Sequence, residues 1–242
     1  MIRMMEELSL GAWPAPGSVF HDGWLIRFAQ GYTRRANSVQ ALYAGTMPLG
    51  QKIELCEKLY RDHGQRAVFK LTEAAQPAEL DLALEARGYA REAQTAVMVH
   101  ELPEPRSSDR VRCDREPTND WLAAYAALNH LTENQHQALG RITRSIALPM
   151  CCACLTDQRE PVACGMAVVQ GEWVGLYDIV TLQARRRQGL ASEVVAHLID
   201  WARQQGAGKA YLQVALGNQP AVALYRKLGF RPIYEYWYRT RE

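Results

Sequence analysis

Residues 185–191 read Arg185-Arg186-Arg187-Gln188-Gly189-Leu190-Ala191, three cations carried into a turn with a single glycine. Upstream, Trp173 to Thr181 is mostly apolar, β-branched or aromatic, which predicts a buried strand. From Leu190 the spacing turns helical, with Val194, Leu198, Ile199 and Ala202 on one face. A strand that passes through a basic glycine turn into a helix N-terminus suits a pyrophosphate. The first backbone N–H groups of a helix have no partner within it, and its dipole is positive at that end.

A second cluster follows the predicted helix. Gly206 and Gly208 are suitable stops, and Lys209 to Leu216 reads as a strand. Then come Asn218, Ala221, Leu224, Tyr225, Gly229 and Phe230, with Pro220 near the start of a short helix, where a missing N–H costs little. Arg186, Gly189 and Ala191 fit the pattern Arg/Gln-x-x-Gly-x-Gly/Ala. The second cluster fits Asn-x-x-Ala-x-x-Leu-Tyr-x-x-x-Gly-Phe at every named position. Together they resemble the acyl-CoA signatures of the GNAT superfamily of N-acyltransferases, over roughly residues 110–238.

The resemblance implies an N-acetyltransferase that moves an acetyl group from acetyl-CoA to a primary amine by direct attack in a ternary complex. A non-catalytic acyl-CoA-binding or regulatory module on the same fold is the alternative. It implies acyl-CoA contacts at Ile179, Val180, Thr181, Arg186, Arg187, Gln188, Gly189, Leu190, Ala191 and Asn218. Backbone groups of Ile179 and Thr181 would grip the pantetheine arm and polarise the thioester carbonyl. N–H groups from Arg187 to Ala191 would hold the pyrophosphate, with Gly189 bare so that the backbone can come close. Asn218 would orient the pantetheine or Tyr225.

Attack also needs a neutral amine. An alkylamine with a pKa near 10.4 is uncharged in only about one molecule per few thousand at pH 7. Asp178 is the nearest carboxylate in sequence. It reads either as a base, direct or through water, or as a polar group tied to a neighbouring backbone or helix. Tyr225 matches the family tyrosine that protonates the departing thiolate; its other reading is an aromatic packed on a helix face. His130, His136 and His197 have no partner at catalytic spacing and receive no role.

The elements that must position these groups imply an α/β fold, of the α+β kind with a mixed sheet. Residues 110–242 would form a GNAT-like acyltransferase domain, and residues 1–103 a smaller, degenerate GNAT-like domain. A polar linker containing Pro105, just after Pro103, spans 104–109. The degenerate copy is read from a shared succession: strand, helix, glycine, strand, helix, glycine with an aromatic, strand. Gly64 and Gly88-Tyr89 close helices in the first half as Gly206 and Gly229-Phe230 do in the second. The first half lacks both signatures. Arg34, Arg35 and Asn37 there could face the second half's site or simply cap and solvate a turn. In the second half, Asn119 or Asp120 would cap a helix bearing Trp121, Tyr125 and Leu128, and 134–146 would be another. Three antiparallel strands would follow.

Composition bounds the rest. The 242 residues carry a formal net charge of +2, which gives no electrostatic case for nucleic acid. No apolar run reaches the roughly 18 residues that would cross a bilayer. Residues 1–10 hold Glu6 and Glu7 and lack a signal peptide's apolar core, so a cytoplasmic protein is expected, without a membrane partner. Cys152 and Cys154 lack a second Cys or His pair at zinc spacing, so the six cysteines are expected as core residues and no metal is expected. The acceptor is a small-molecule or protein amine.

Overall fold

The computed structural model describes residues 1–102 and 110–241. The linker read at 104–109 lies outside the described residues. The first half runs α1 (Ile2–Ala12), β1 (Gly17–His21), β2 (Trp24–Phe28), β3 (Val39–Gln40), α2 (Leu49–Asp62), β4 (Val68–Thr72), α3 (Leu80–Ala86) and β5 (Ala90–Glu101). The second runs β6 (Val111–Asp114), α4 (Asn119–Leu128), α5 (Glu133–Arg144), β7 (Met150–Asp157), β8 (Glu160–Gln170) and β9 (Trp173–Thr181). It ends with α6 (Leu190–Gln204), β10 (Lys209–Ala215), α7 (Gln219–Lys227) and β11 (Arg231–Thr240).

All eleven strands join one mixed sheet in the order β1-β2-β3-β4-β11-β5-β10-β9-β8-β7-β6. The halves share it by exchanging their last strands. β11 lies between β4 and β5, antiparallel to both, and β5 pairs antiparallel with β10. The central pairs mirror one another: β3 is parallel to β4 and β9 is parallel to β10, each across a helix. A parallel pair requires such a crossover.

Three apolar clusters hold helices to this sheet. α6 and α7 pack on one face through Val194, Leu198, Val222 and Tyr225. On the same face, α2 and α3 cover the first half through Ile53, Tyr60, Leu80 and Leu84. α1, α4 and α5 cover the other face through Met5, Trp13, Trp121, Leu139 and Ile142. Strand alternation assigns the faces: Tyr234, Tyr236 and Tyr238 of β11 point to the α1 side, and Trp237 to α3.

Several local expectations change. The sequence reading has neither α1 nor β1, although Asp22-Gly23 is a strong two-residue hairpin signal. Both residues adopt positive φ, 45° and 84°, and join β1 to β2. The cap of α4 is Thr118, whose hydroxyl accepts the Trp121 N–H at 3.2 Å, rather than Asn119 or Asp120. Cys113 and Cys151 form a disulfide between β6 and β7, where only core packing is expected from the sequence; Cys56, Cys152, Cys154 and Cys164 are free. No helix among the described residues is long and apolar enough to cross a membrane.

Candidate active site

The site begins where two strands part. β9 and β10 pair from Trp173↔Lys209 to Leu176↔Leu212 and no further. β10 then continues against β5 alone, and β9 against β8 alone. On the side facing β10, the backbone from Tyr177 to Thr181 is thus without a ladder partner. Buried backbone groups need partners, so this opening can accept an extended polar chain such as a pantetheine arm.

A bulge sits at the opening. Tyr177 pairs with Met166 and Val180 with Cys164, so Asp178 and Ile179 together oppose Gly165, and Asp178 has φ +55°. Leu176 and Ile179 belong to the α6 cluster, Tyr177 and Val180 to the α1–α4 cluster. Regular alternation would send Asp178 to the α6 side. The bulge turns its carboxylate among Arg35, Tyr125 and Tyr32 instead. Gly165 permits this, because a Cβ there would stand 2.5 Å from Ile179 Cδ1.

The Asp178 side chain is 6% exposed, and its Oδ2 is buried with no hydrogen-bond partner. Burial pushes the carboxyl up to about 6, while Arg35 and the Tyr125 phenol favour the charged form. Arg35 Nη2 stands 3.8 Å from Asp178 Oδ1, a charge contact rather than a hydrogen bond. The guanidinium also lies 5.2 Å from the Trp13 ring and 5.3 Å from the Tyr177 ring, which stack at 5.9 Å.

The first half builds a mount for that arginine. Asn37 Oδ1 accepts the N–H groups of Ala29 and Gly31, and its Nδ2 donates to the carbonyls of Tyr32 and Thr33. Thr33 Oγ1 takes the Trp13 indole N–H at 3.1 Å. Arg27 donates to the carbonyls of Arg35, at 2.7 Å, and of Trp13. Of the two roles left open, then, Arg35 faces the carboxylate and Asn37 holds the turn. Arg34 reaches away to Glu92 at 2.6 Å.

Downstream, the basic turn and α6 follow the sequence closely. Gly189 is the residue before the helix, at φ +83°. The sequence reading keeps it bare for close approach. The structure supplies another reason: a Cβ at this position would have no protein atom within 4 Å, and the left-handed backbone itself selects glycine. Arg187 is left-handed too, at φ +63°. Arg185 is tied down, to Asp157 at 2.9 Å and to the Gln188 side chain at 3.0 Å. Arg186, Arg187 and Gln188 surround the start of α6, and all three are exposed.

Tyr225 lies on α7, buried against Phe230 at 6.0 Å, and burial pushes its phenol up to about 12. It shares a cluster with Leu190 and Ile179 on the α6 side. Asn218 caps α7, its Oδ1 accepting the Ala221 N–H at 3.3 Å. The sequence reading does not contain that capping role, although Asn is a favoured N-cap. Tyr225 thus stands in one layer and Asp178 in the other, and the parted strands open between them. Tyr32 and Tyr125 also escape sequence reading as site residues, since an aromatic signal alone does not distinguish core from site.

Comparison with known proteins gives a consistent picture. The family model described as "Probable histone acetyltransferase Rv0428c C-terminal" matches residues 1–239. The Bacillus subtilis protein named uncharacterized N-acetyltransferase YobR is 30% identical over 248 residues, which cover 99% of this chain and 98% of that protein. A GCN5-related N-acetyltransferase structure from Kribbella flavida superposes with a TM-score of 0.67 at 18% identity, covering 99% of this chain and 93% of that one. A tandem GNAT protein from the clavulanic acid biosynthesis pathway does so with 0.64 at 12% identity, covering 98% and 87%.

Proposed function

The chain belongs to the GNAT superfamily, within the Rv0428c C-terminal family, and is an acyl-CoA-dependent N-acyltransferase; from that premise we propose that it transfers acetyl from acetyl-CoA to a primary amine by direct attack in a ternary complex. The observation that carries this reading is Asp178: a buried carboxylate with an unpaired oxygen, held near 6 beside an opened strand edge. A base poised near the working pH is ionised at pH 7 yet basic enough to take a proton, and is typically worth about 10²- to 10⁴-fold.

Backbone groups of Ile179 and Thr181 hold the pantetheine arm, with Val180 between them facing the α4 side. The first N–H groups of α6, from Leu190 and Ala191, hold the pyrophosphate, with Arg186, Arg187 and Gln188 around it. Gly189 sets the turn and Asn218 the start of α7. Asp178 takes a proton from the ammonium of the acceptor. The amine nitrogen bonds to the acyl carbon, the carbon–sulfur bond breaks, and the nitrogen gives up its second proton to solvent to leave the neutral amide. Tyr225 gives its phenolic proton to the thiolate, and solvent returns both residues to their starting states.

The first half is, in the same reading, a degenerate copy of the second. The matched succession β3-α2-β4-α3-β5 and β9-α6-β10-α7-β11 supports it, as do the two parallel pairs. The test is an acetyl-CoA turnover assay across an amine panel, detecting free thiol, with Asp178→Asn as control. Thiol release that depends on both amine and Asp178 is expected. Saturable acetyl-CoA binding with no turnover on any amine would favour a binding module.

A further inference from the structure

A row of side chains crosses the second half of the sheet, from its outer edge to the site. Arg112 of β6 stands opposite Cys154 of β7, Cys154 opposite Cys164 of β8, and Cys164 opposite Val180 of β9. In the middle of the row the two thiols meet, Cys164 Sγ donating to Cys154 Sγ at 3.5 Å. Cys154 is half-buried, Cys164 is buried, and both are free. We propose that this pair closes into a reversible disulfide by exchange with a low-molecular-weight disulfide, and that the bond displaces Asp178. The displacement matters through the reaction proposed above, whereas the bond itself does not depend on it.

The geometry permits the bond. Directly opposed residues of an antiparallel pair have Cα atoms about 4.5–5.5 Å apart, inside the roughly 4.4–6.8 Å that a disulfide spans. The two sulfurs need to approach by only about 1.5 Å more. Cys113 and Cys151 are joined on the α6 face of the sheet, whereas Cys154 and Cys164 face α4. That disulfide therefore cannot exchange with this pair, and the oxidant comes from outside.

The two thiols are unequal. The hydrogen bond from Cys164 and the Arg112 guanidinium pull Cys154 below the usual thiol range, against burial and the Asp114 carboxylate. The same contact, with burial, raises Cys164. Cys154 is also the more accessible, so it attacks first. Its thiolate bonds to one sulfur of oxidised glutathione, and one glutathione leaves as thiolate. Cys164 then gives its proton to solvent, its sulfur bonds to that of Cys154, and the second glutathione leaves. The two electrons lost by the cysteines reduce the glutathione disulfide.

The consequence follows from the neighbours. Cys164 adjoins Gly165, which lies opposite Asp178 and Ile179 in the bulge, and β8 shifts register against β9 between Cys164 and Met166. β7 shifts against β8 just beyond Cys154, between Leu155 and Thr156. Closing the bond draws Cys164 toward β7 where the bulge is set, and a misplacement of about 1 Å at a reacting group can cost about 10²-fold.

The test treats the full chain with oxidised glutathione, desalts it, and reads peptide maps by mass spectrometry beside acetyl-CoA turnover on the amine panel. A linked Cys154–Cys164 peptide is expected, with kcat lowered about tenfold or more and restored by reduction with dithiothreitol. Cys164→Ser should instead retain one glutathione on Cys154. Cys154→Ser should form neither product and keep its rate after oxidation. A wild-type map without the linked peptide overturns the site. A linked protein that turns over at the reduced rate overturns the displacement of Asp178. A reduced wild type that acetylates no amine overturns the reaction, and the bond is then decided by the peptide map.

Discussion

Arg35 and Asp178 face one another at 3.8 Å, and that contact ties the half without the two signature motifs to the carboxylate proposed as the base in the half that has them. The cation is supplied by a turn, held by Asn37, Thr33 and Arg27, that has no counterpart among the signature motifs.

Replacing Arg35 by Gln should move the acid limb of the kcat/KM profile upward. The arginine favours the charged form of Asp178, so its loss raises a carboxyl already near 6 and leaves more of the base protonated at neutral pH. A shift of about one unit or more is expected, with the deficit largest at low pH and shrinking toward pH 8. Arg35→Lys should recover part of it. A pH–rate profile unchanged in Arg35→Gln would remove the arginine from the site.

Asp178→Asn should abolish most turnover yet stabilise the fold above pH 6. A carboxyl raised from 3.8 to about 6 by folding favours the protonated native state. Its stabilising contribution is complete below about pH 4 and is lost as pH rises to 6. Above that, the ionised group costs on the order of 3 kcal/mol, from 1.36 kcal/mol per unit. Thermal unfolding of both proteins at pH 4 and pH 7.5 measures it, and a gain that does not grow with pH counts against the assignment.

Tyr225→Phe should lower the single-turnover rate by about 10²-fold or more with the acetyl-CoA Kd nearly unmoved. Burial holds the phenol near 12, so it stays protonated across the working range and can act only as a donor. Single-turnover conditions are needed because product release can mask the chemical step. A Phe variant equal to wild type would leave Tyr225 as packing against Phe230.

Gly189→Val and Gly171→Val form a matched pair. Both glycines have positive φ, 83° and 59°, and neither has a protein atom within 4 Å of where a Cβ would stand. Each substitution should therefore cost a similar 1–3 kcal/mol or so in backbone strain. Only the first should weaken acetyl-CoA binding beyond that, by calorimetric titration. Equal weakening at both would remove the phosphate role of the turn.

Asn37→Ala touches no substrate, yet it should lower kcat while destabilising the fold by about 2–3 kcal/mol, since two N–H groups and two carbonyls lose their partner. The informative readout is the pH profile. If the turn positions Arg35, the acid limb moves in the same direction as in Arg35→Gln.

The strand at 173–181 is legible in the sequence as an apolar, β-branched and aromatic run, and the helix starting at Leu190 as a periodic apolar face stopped by Gly206. The bulge at Asp178 is not, since nothing in Tyr-Asp-Ile marks a positive φ at a non-glycine residue. It follows from Gly165 on the neighbouring strand, which only the sheet brings opposite. Arg35 is visible as a basic residue, but its direction is set by the local turn that Asn37 holds and by Trp13, whose contact exists only once α1 docks. The hairpin at Asp22-Gly23 is fully encoded locally, yet the sequence reading passes over it. The pairing of β11 with β4 depends on residues far apart in the chain, which local periodicity cannot reveal.

That exchanged strand has a consequence for how the protein is made. During synthesis β4 and β5 emerge long before residues 231–240, which pair with both of them. Until residues 231–240 are made, the first half presents two open strand edges with unpaired N–H and carbonyl groups. Such edges invite pairing with other chains. The nascent protein must therefore keep its first half unfinished, or shielded, until β11 leaves the ribosome.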